Sequence, residues 1–292
     1  MKTMRFIAGK ALAIGIALIL VHVRVRAVVP VFDDAERWQR LADAIGGLSA
    51  SGASTAPASL QDQLSHPSRV PIRLARPGRS HLKAESVYDR AAASVVGVAS
   101  VYKCGHCTRW HNAGNASGWV IGTRGEIASN YHVFAEARGT NHVGVGIITH
   151  DGRVFPVREI LWSDRDRDVA IVRTEATGLV PLALELDEPV GRPVSVISHP
   201  GGNLFTLTQG HVARYMRSAV DKNARPVDWM CITADYAVGS SGGPVFNGQG
   251  AVVGMVSRTH SIAADPNHAV TIRMVMKLTV PASSILDVLK SR

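Results

Sequence analysis

From residue 84 to the end of the 292-residue chain, apolar runs of four to nine residues recur at short intervals, broken by Gly, Asn, Asp and Pro. The runs are 94–102, 116–121, 126–129, 143–149, 154–160, 169–174, 193–197, 204–208, 210–216, 230–234, 243–246, 251–257 and 270–275. No helical period joins them, so the fold class is all-β, a sandwich or a barrel. About 205 residues for roughly twelve strands is the size of a double β-barrel, divided near residue 180 into 84–180 and 181–292. Apolar positions 282, 285, 286, 288 and 289 predict a short C-terminal helix.

The first 83 residues differ in character. A basic start (Lys2, Arg5, Lys10) precedes a stretch, 11–23, that is apolar except for His22. This suits a signal-peptide core and is short for a spanning helix. Residues 1–27 are therefore expected to be a signal peptide or an uncleaved signal anchor. Residues 28–83 hold a short helical pattern at 33–44, then a small-residue tract at 46–59 and three prolines in 67–77, and are expected to be a largely disordered linker. Twelve Lys/Arg stand against five Asp/Glu in 1–83, a net +7, whereas 84–292 carry twenty against eighteen, a net +2. The basicity belongs to the leader, next to an anionic membrane, and not to a nucleic-acid-binding face. Export to the periplasm or beyond, or anchorage to the inner membrane, is expected; nucleic acid is not an expected partner.

The three cysteines are Cys104, Cys107 and Cys231. In an exported protein Cys104 and Cys107 would close a small disulfide loop, leaving Cys231 as a buried thiol. A redox role would want the pair at a helix N-terminus, but it lies between two strand-like runs. Zinc would draw on His106 or His111, yet no second cysteine pair completes a tetrahedral set. No metal and no cofactor are expected.

Gly239-Ser240-Ser241-Gly242-Gly243-Pro244 is the most specific chemical feature. Glycines flanking a serine allow a tight turn that bares its hydroxyl and aims amide N–H groups at one point. Ser241 would be the nucleophile, with the amides of Gly239 and Ser241 as the oxyanion hole. A serine needs a base, and His132 follows a strand-like run; the base needs an orienting carboxylate, and Asp168 abuts the apolar run 169–174. Asp164 and Asp166 are nearby alternatives in the same polar stretch.

The order His132, Asp168, Ser241 resembles that of the chymotrypsin-like serine peptidases. The surrounding motifs resemble the HtrA-type and bacterial trypsin-like branch: Ser117-Gly-Trp-Val-Ile-Gly, Ser129-Asn-Tyr-His-Val, Asp168-Val-Ala-Ile-Val, Ser198-His-Pro-Gly-Gly, Val252-Val-Gly-Met-Val-Ser and Val280-Pro-Ala-Ser-Ser-Ile-Leu. The resemblance covers about 84–290. It implies two six-stranded barrels, with His132 and Asp168 from the first and Ser241 from the second. It also implies a serine endopeptidase acting on polypeptides through an acyl-enzyme. The family's usual Asn stands here as Ser240, which is expected to matter little to the amide geometry. Its usual C-terminal PDZ module has no counterpart in the roughly fifty residues after Ser241, and no activation sequence is present.

Specificity is less legible. Asp235 lies six residues before Ser241, where trypsin-like enzymes place the carboxylate that binds basic side chains, but Ala237 stands at the position of the cysteine that frames that pocket. A purely structural Asp235 is the other reading. Ser257, Arg258 and Thr259 would line the substrate, which pairs as an added strand. Val256 stands where glutamyl-specific relatives carry His. The contrasting functional reading is a catalytically inactive trypsin-fold module that binds peptides in its cleft.

Overall fold

The computed structural model describes residues 30–291 apart from 138, 140, 220, 266 and 267. The expected leader, 1–27, lies outside the described residues. Among the described residues twelve strands close into two six-stranded antiparallel barrels. The first contains β1 (Val95–Lys103), β2 (Trp110–Val120), β3 (Glu126–Ser129), β4 (His142–Thr149), β5 (Val154–Asp164) and β6 (Val169–Thr174), in the order 1-2-3-6-5-4. The second contains β7 (Pro193–Ser198), β8 (Thr206–Ser218), β9 (Val227–Ile232), β10 (Pro244–Phe246), β11 (Val252–Asp265) and β12 (His268–Pro281), in the order 10-11-12-9-8-7. The runs 204–208 and 210–216 belong to one strand, β8. Its first half pairs with β7 as far as His211↔Pro193, and its second half turns onto β9 from Val212↔Ile232.

Strand alternation sorts side chains into separate cores. On β6, Ala170 and Val172 join Val96, Val98, Ile127 and Ile147 in one cluster. Val169 and Ile171 face the other way, into a larger cluster that reaches Ile197 and Phe246 of the second barrel. Both faces of β6 are thus covered, which is why its sequence reads as a continuous apolar run.

The segment expected to be a linker is instead substantially folded. Residues Asp34–Ala50 form α1 and Pro57–Ser65 form α2. Asp33 caps α1, its side chain accepting from the Glu36 amide at 2.9 Å. Trp38, Leu41, Ala42 and Ile45 recur at helical spacing and are buried. Burial of each large side chain contributes roughly 1.5–3 kcal/mol, more than flexible tethering can offset. Strand glycines make room for them: a Cβ on Gly97 would lie 2.7 Å from the Trp38 ring, and one on Gly146 2.5 Å from Ile45. Downstream, the Arg69 amide donates to Leu161 O and the Leu82 amide to Gly248 O, so the strap 66–83 runs across both barrels. A third helix, α3 (Ala84–Ala91), leads into β1. The predicted C-terminal helix, written α5 here, spans Ala282–Lys290 and buries Ala282, Ile285 and Val288. Among the described residues no helix is long and apolar enough to cross a membrane.

Candidate active site

Ser129 of β3 pairs with Ala170 of β6. The chain leaving β3 and the chain entering β6 therefore lie side by side. The single-turn helix α4 (Tyr131–Ala135) starts where β3 ends and carries His132. Asp168 is the last residue before β6 and adopts a left-handed backbone, φ 56°, an unfavourable conformation for a non-glycine residue. Its main chain is held by Asn130 Nδ2, which donates to Asp168 O at 2.9 Å.

The Asp168 carboxylate is 2% exposed. It accepts from His132 Nδ1 at 3.0 and 2.9 Å, from the His132 amide at 3.1 Å, and from Ser257 Oγ at 2.5 Å. A carboxylate only accepts, so Nδ1 carries the hydrogen and Nε2 is left with a lone pair. Burial alone pushes the His132 pKa down; the hydrogen bond and charge of Asp168, helped by Glu136, outweigh it and raise the pKa above its ordinary value. The alternatives are engaged elsewhere. Asp164 pairs with Arg167 at 2.8 Å and Asp166 with Arg225 at 2.5 Å.

Ser241 sits in the turn before β10, and with His132 and Gly239 it lines a cavity of about 150 Å³. Its hydroxyl donates to Ser257 O at 3.3 Å rather than to His132. The turn needs glycine at 239: φ is +96°, and a Cβ would lie 2.4 Å from His199 O. The Gly201 amide donates to Val238 O at 2.7 Å. Among the described residues every peptide is trans, so a Val238 carbonyl turned toward Gly201 sends the Gly239 N–H in the opposite direction. Among the described residues neither the Gly239 nor the Ser241 amide has an acceptor.

Several residues without an assigned role in the sequence reading hold this turn. Ser240 is fully buried, and Ser198 Oγ donates to its hydroxyl at 3.0 Å. Its side chain therefore props the turn instead of being incidental to it. Ser117 Oγ donates to Gly239 O at 2.9 Å and lies 2.8 Å from His199 Nδ1. The His199 ring is fully buried, and burial lowers its pKa to about 3, so it is neutral. Trp38 of α1 donates from Nε1 to Gly202 O at 2.7 Å. Ser117 and His199 stood in motifs visible in the sequence, but nothing local marked Trp38.

The expected specificity residues separate. Asp235 points to solvent, 89% exposed, and pairs with Lys277 Nζ at 3.2 Å; it does not line the cavity around Ser241. Ser257 offers its carbonyl to Ser241 and its hydroxyl to Asp168. Arg258 lies over the Trp229 ring, 5.2 Å from its centroid, and lines a hollow with His132, Glu136 and Asp221. Thr259 lines another hollow with Arg258, Met216 and Trp229.

Residues 116–255 match the family model of the trypsin-like peptidase domain. A probable periplasmic serine endoprotease, DegP-like, from Hahella chejuensis is 34% identical over 149 residues, covering 50% of this chain and 30% of that protein. The chloroplastic protease Do-like 5 of Arabidopsis thaliana is 30% identical over 183 residues, covering 58% of this chain and 56% of that protein. The chain thus spans between about a third and about half of the length of these curated relatives. A solved structure of the serine endoprotease from Yersinia pestis shares the fold, with a TM-score of 0.52 at 19% identity over 73% of this chain and 67% of that one. With its two six-stranded barrels and a match to the trypsin-like peptidase domain over residues 116–255, the chain is similar to the Do- and DegP-like proteases.

Proposed function

We propose that the chain is a serine endopeptidase that cleaves polypeptides through an acyl-enzyme. The observation that carries the reading is the pairing of His132 Nδ1 with the buried Asp168 carboxylate, beside a turn whose Gly239 and Ser241 amides have no acceptor among the described residues. Ser241 Oγ forms a bond to the scissile carbonyl carbon as its proton passes to His132 Nε2. The carbonyl electrons move onto oxygen, which the two amides stabilise. Collapse breaks the C–N bond, and His132 returns the proton to the leaving amine. Water, deprotonated by the same imidazole, then hydrolyses the ester. Asp168 keeps its charge throughout and holds the imidazolium. Hydrogen bonds of this kind tighten when substrate is bound, which accommodates the Ser241 hydroxyl resting on Ser257 O.

The reading includes export. The basic start and the apolar stretch 11–23 have the composition of a secretion signal, and the Hahella chejuensis relative is described as periplasmic. Unfolded casein tests the activity: wild type cleaves it, and Ser241→Ala with an unchanged circular dichroism spectrum does not. The contrasting reading, a cleft that binds peptide without cutting it, is favoured by the Ser241 hydroxyl donating to Ser257 O. It predicts peptide affinity unchanged in Ser241→Ala and no hydrolysis by wild type.

A further inference from the structure

The β1–β2 hairpin ends in a six-residue loop, 104–109, between the paired residues Lys103 and Trp110. Three side chains converge at its tip. Cys104 Sγ and Cys107 Sγ lie 3.0 Å apart, and His111 Nε2 is 3.3 Å from the first and 3.0 Å from the second. The sequence offered too few cysteines for zinc. The hairpin supplies the third ligand itself, because His111 is the second residue of β2 and faces back toward the loop.

We propose that Cys104, Cys107 and His111 bind one thiophilic divalent cation of the zinc type through Sγ, Sγ and Nε2, with a fourth position open to water. The donor set is suited to it: two soft sulfurs and an imidazole select zinc over the hard oxygen-seeking cations. A tetrahedral ion with bonds of about 2.3 Å to sulfur and about 2.1 Å to nitrogen spaces its ligand atoms roughly 3.6–3.8 Å apart. The edges of the triangle need to open by only about 0.3–0.8 Å on a partly exposed loop. A disulfide would use the two sulfurs and give no reason for an imidazole nitrogen set nearly equidistant from both.

The frame around the triangle is fixed. The His111 ring packs on Tyr102, 5.3 Å between centroids. Arg109 donates to Gln39 Oε1 at 2.9 Å, and Gln39 Nε2 donates to Trp110 O at 3.2 Å, which ties the loop to α1. On binding, each thiol loses its proton to solvent and the neutral imidazole contributes its lone pair. The same two strands supply Ser100, Ala113 and Asn115 to the cavity that holds Ser241, so the cation would pin the hairpin that forms one wall of the cleft.

The test uses the full chain, reduced, freed of metal with a chelator, and titrated with zinc against a chromophoric competitor. One zinc per chain is expected, together with a rise in Tm. Cobalt in place of zinc should give thiolate-to-metal charge-transfer absorption. Cys104→Ser and Cys107→Ser should each abolish these signals, and His111→Ala should weaken zinc binding at least about tenfold. Cys231→Ala, buried on β9, should leave them intact. Failure of the reduced chain to take up stoichiometric zinc overturns the proposal. So does zinc binding that survives in the Cys104→Ser/Cys107→Ser double variant, or a chain that keeps the pair as a disulfide, two hydrogens lighter, under reductant strong enough to reduce exposed disulfides.

Discussion

The Gly201 amide donates to the Val238 carbonyl at 2.7 Å, and this one bond decides which way the Gly239 N–H points. The loop that supplies Gly201 is held from beneath by a helix more than 150 residues earlier in the chain, through Trp38 Nε1 and Gly202 O. The amide that would receive an oxyanion is therefore positioned from the segment before the barrels.

Trp38→Phe should expose this dependence. It keeps an aromatic ring against the core but leaves the buried Gly202 carbonyl without its donor, a loss of about 1–3 kcal/mol. We expect kcat on a peptide substrate to fall by roughly tenfold or more with KM nearly unchanged. A variant with lowered Tm but full kcat would mean that Trp38 only packs.

Asp168→Asn should lower kcat by about 10⁴-fold, because the amide favours the wrong His132 tautomer. The pH profile carries a sign as well. The base works when neutral, so kcat/KM rises with pH through the His132 pKa, which Asp168 holds above its ordinary value. Removing that charge leaves burial as the largest influence, so the residual activity of Asp168→Asn should rise at lower pH than in wild type. A profile that does not move would argue against the pairing.

His199 makes stability fall in acid. Its folded pKa, about 3, is below the unfolded value of 6.5, so the unfolded chain binds more protons between them. Its contribution is fully present above pH 6.5 and is lost progressively as pH falls toward 3, up to several kcal/mol. Urea unfolding at pH 7 and pH 5 should show a smaller loss in His199→Asn than in wild type. An equal loss in both would place the acid sensitivity elsewhere.

The fit of α1 on the first barrel predicts a coupled pair. Ile45→Ala should destabilise by about 2–4 kcal/mol, since the side chain is fully buried. Gly146→Ala should also destabilise, its new methyl being 2.5 Å from Ile45. The double variant should be less destabilised than the sum of the two, measured by chemical denaturation.

Asp235→Ala should leave cleavage preference unchanged, because the carboxylate faces solvent and, among the described residues, pairs with Lys277 alone. Its effect on stability should be under about 1 kcal/mol. Loss of cleavage after Lys or Arg in a peptide library would return Asp235 to the substrate pocket.

The strands were readable because their apolar runs are local signals: 126–129 and 169–174 coincide with β3 and β6. Residues 204–216 read as two runs because nothing local reports that β8 changes partner at its middle. The helical pattern at 33–44 was readable, but the small-residue tract masked the end of α1 and all of α2, and nothing local reports that Trp38, Ile45 and Leu60 pack on strands distant in sequence. Among the acids, only its place against the apolar run 169–174 favoured Asp168; the arginines that occupy Asp164 and Asp166 do so only in the folded chain. Ser117 and His199 share the reason: each acts across about eighty residues or more.

The central claim is that Ser241 is an activated nucleophile. The most direct measurement is reaction of the folded chain with a fluorophosphonate, with the modified residue located by mass spectrometry of its peptides. The account predicts a single adduct on Ser241, absent in His132→Ala and slowed strongly in Asp168→Asn. A folded wild-type chain that stays unlabelled at Ser241 and leaves casein intact would contradict it.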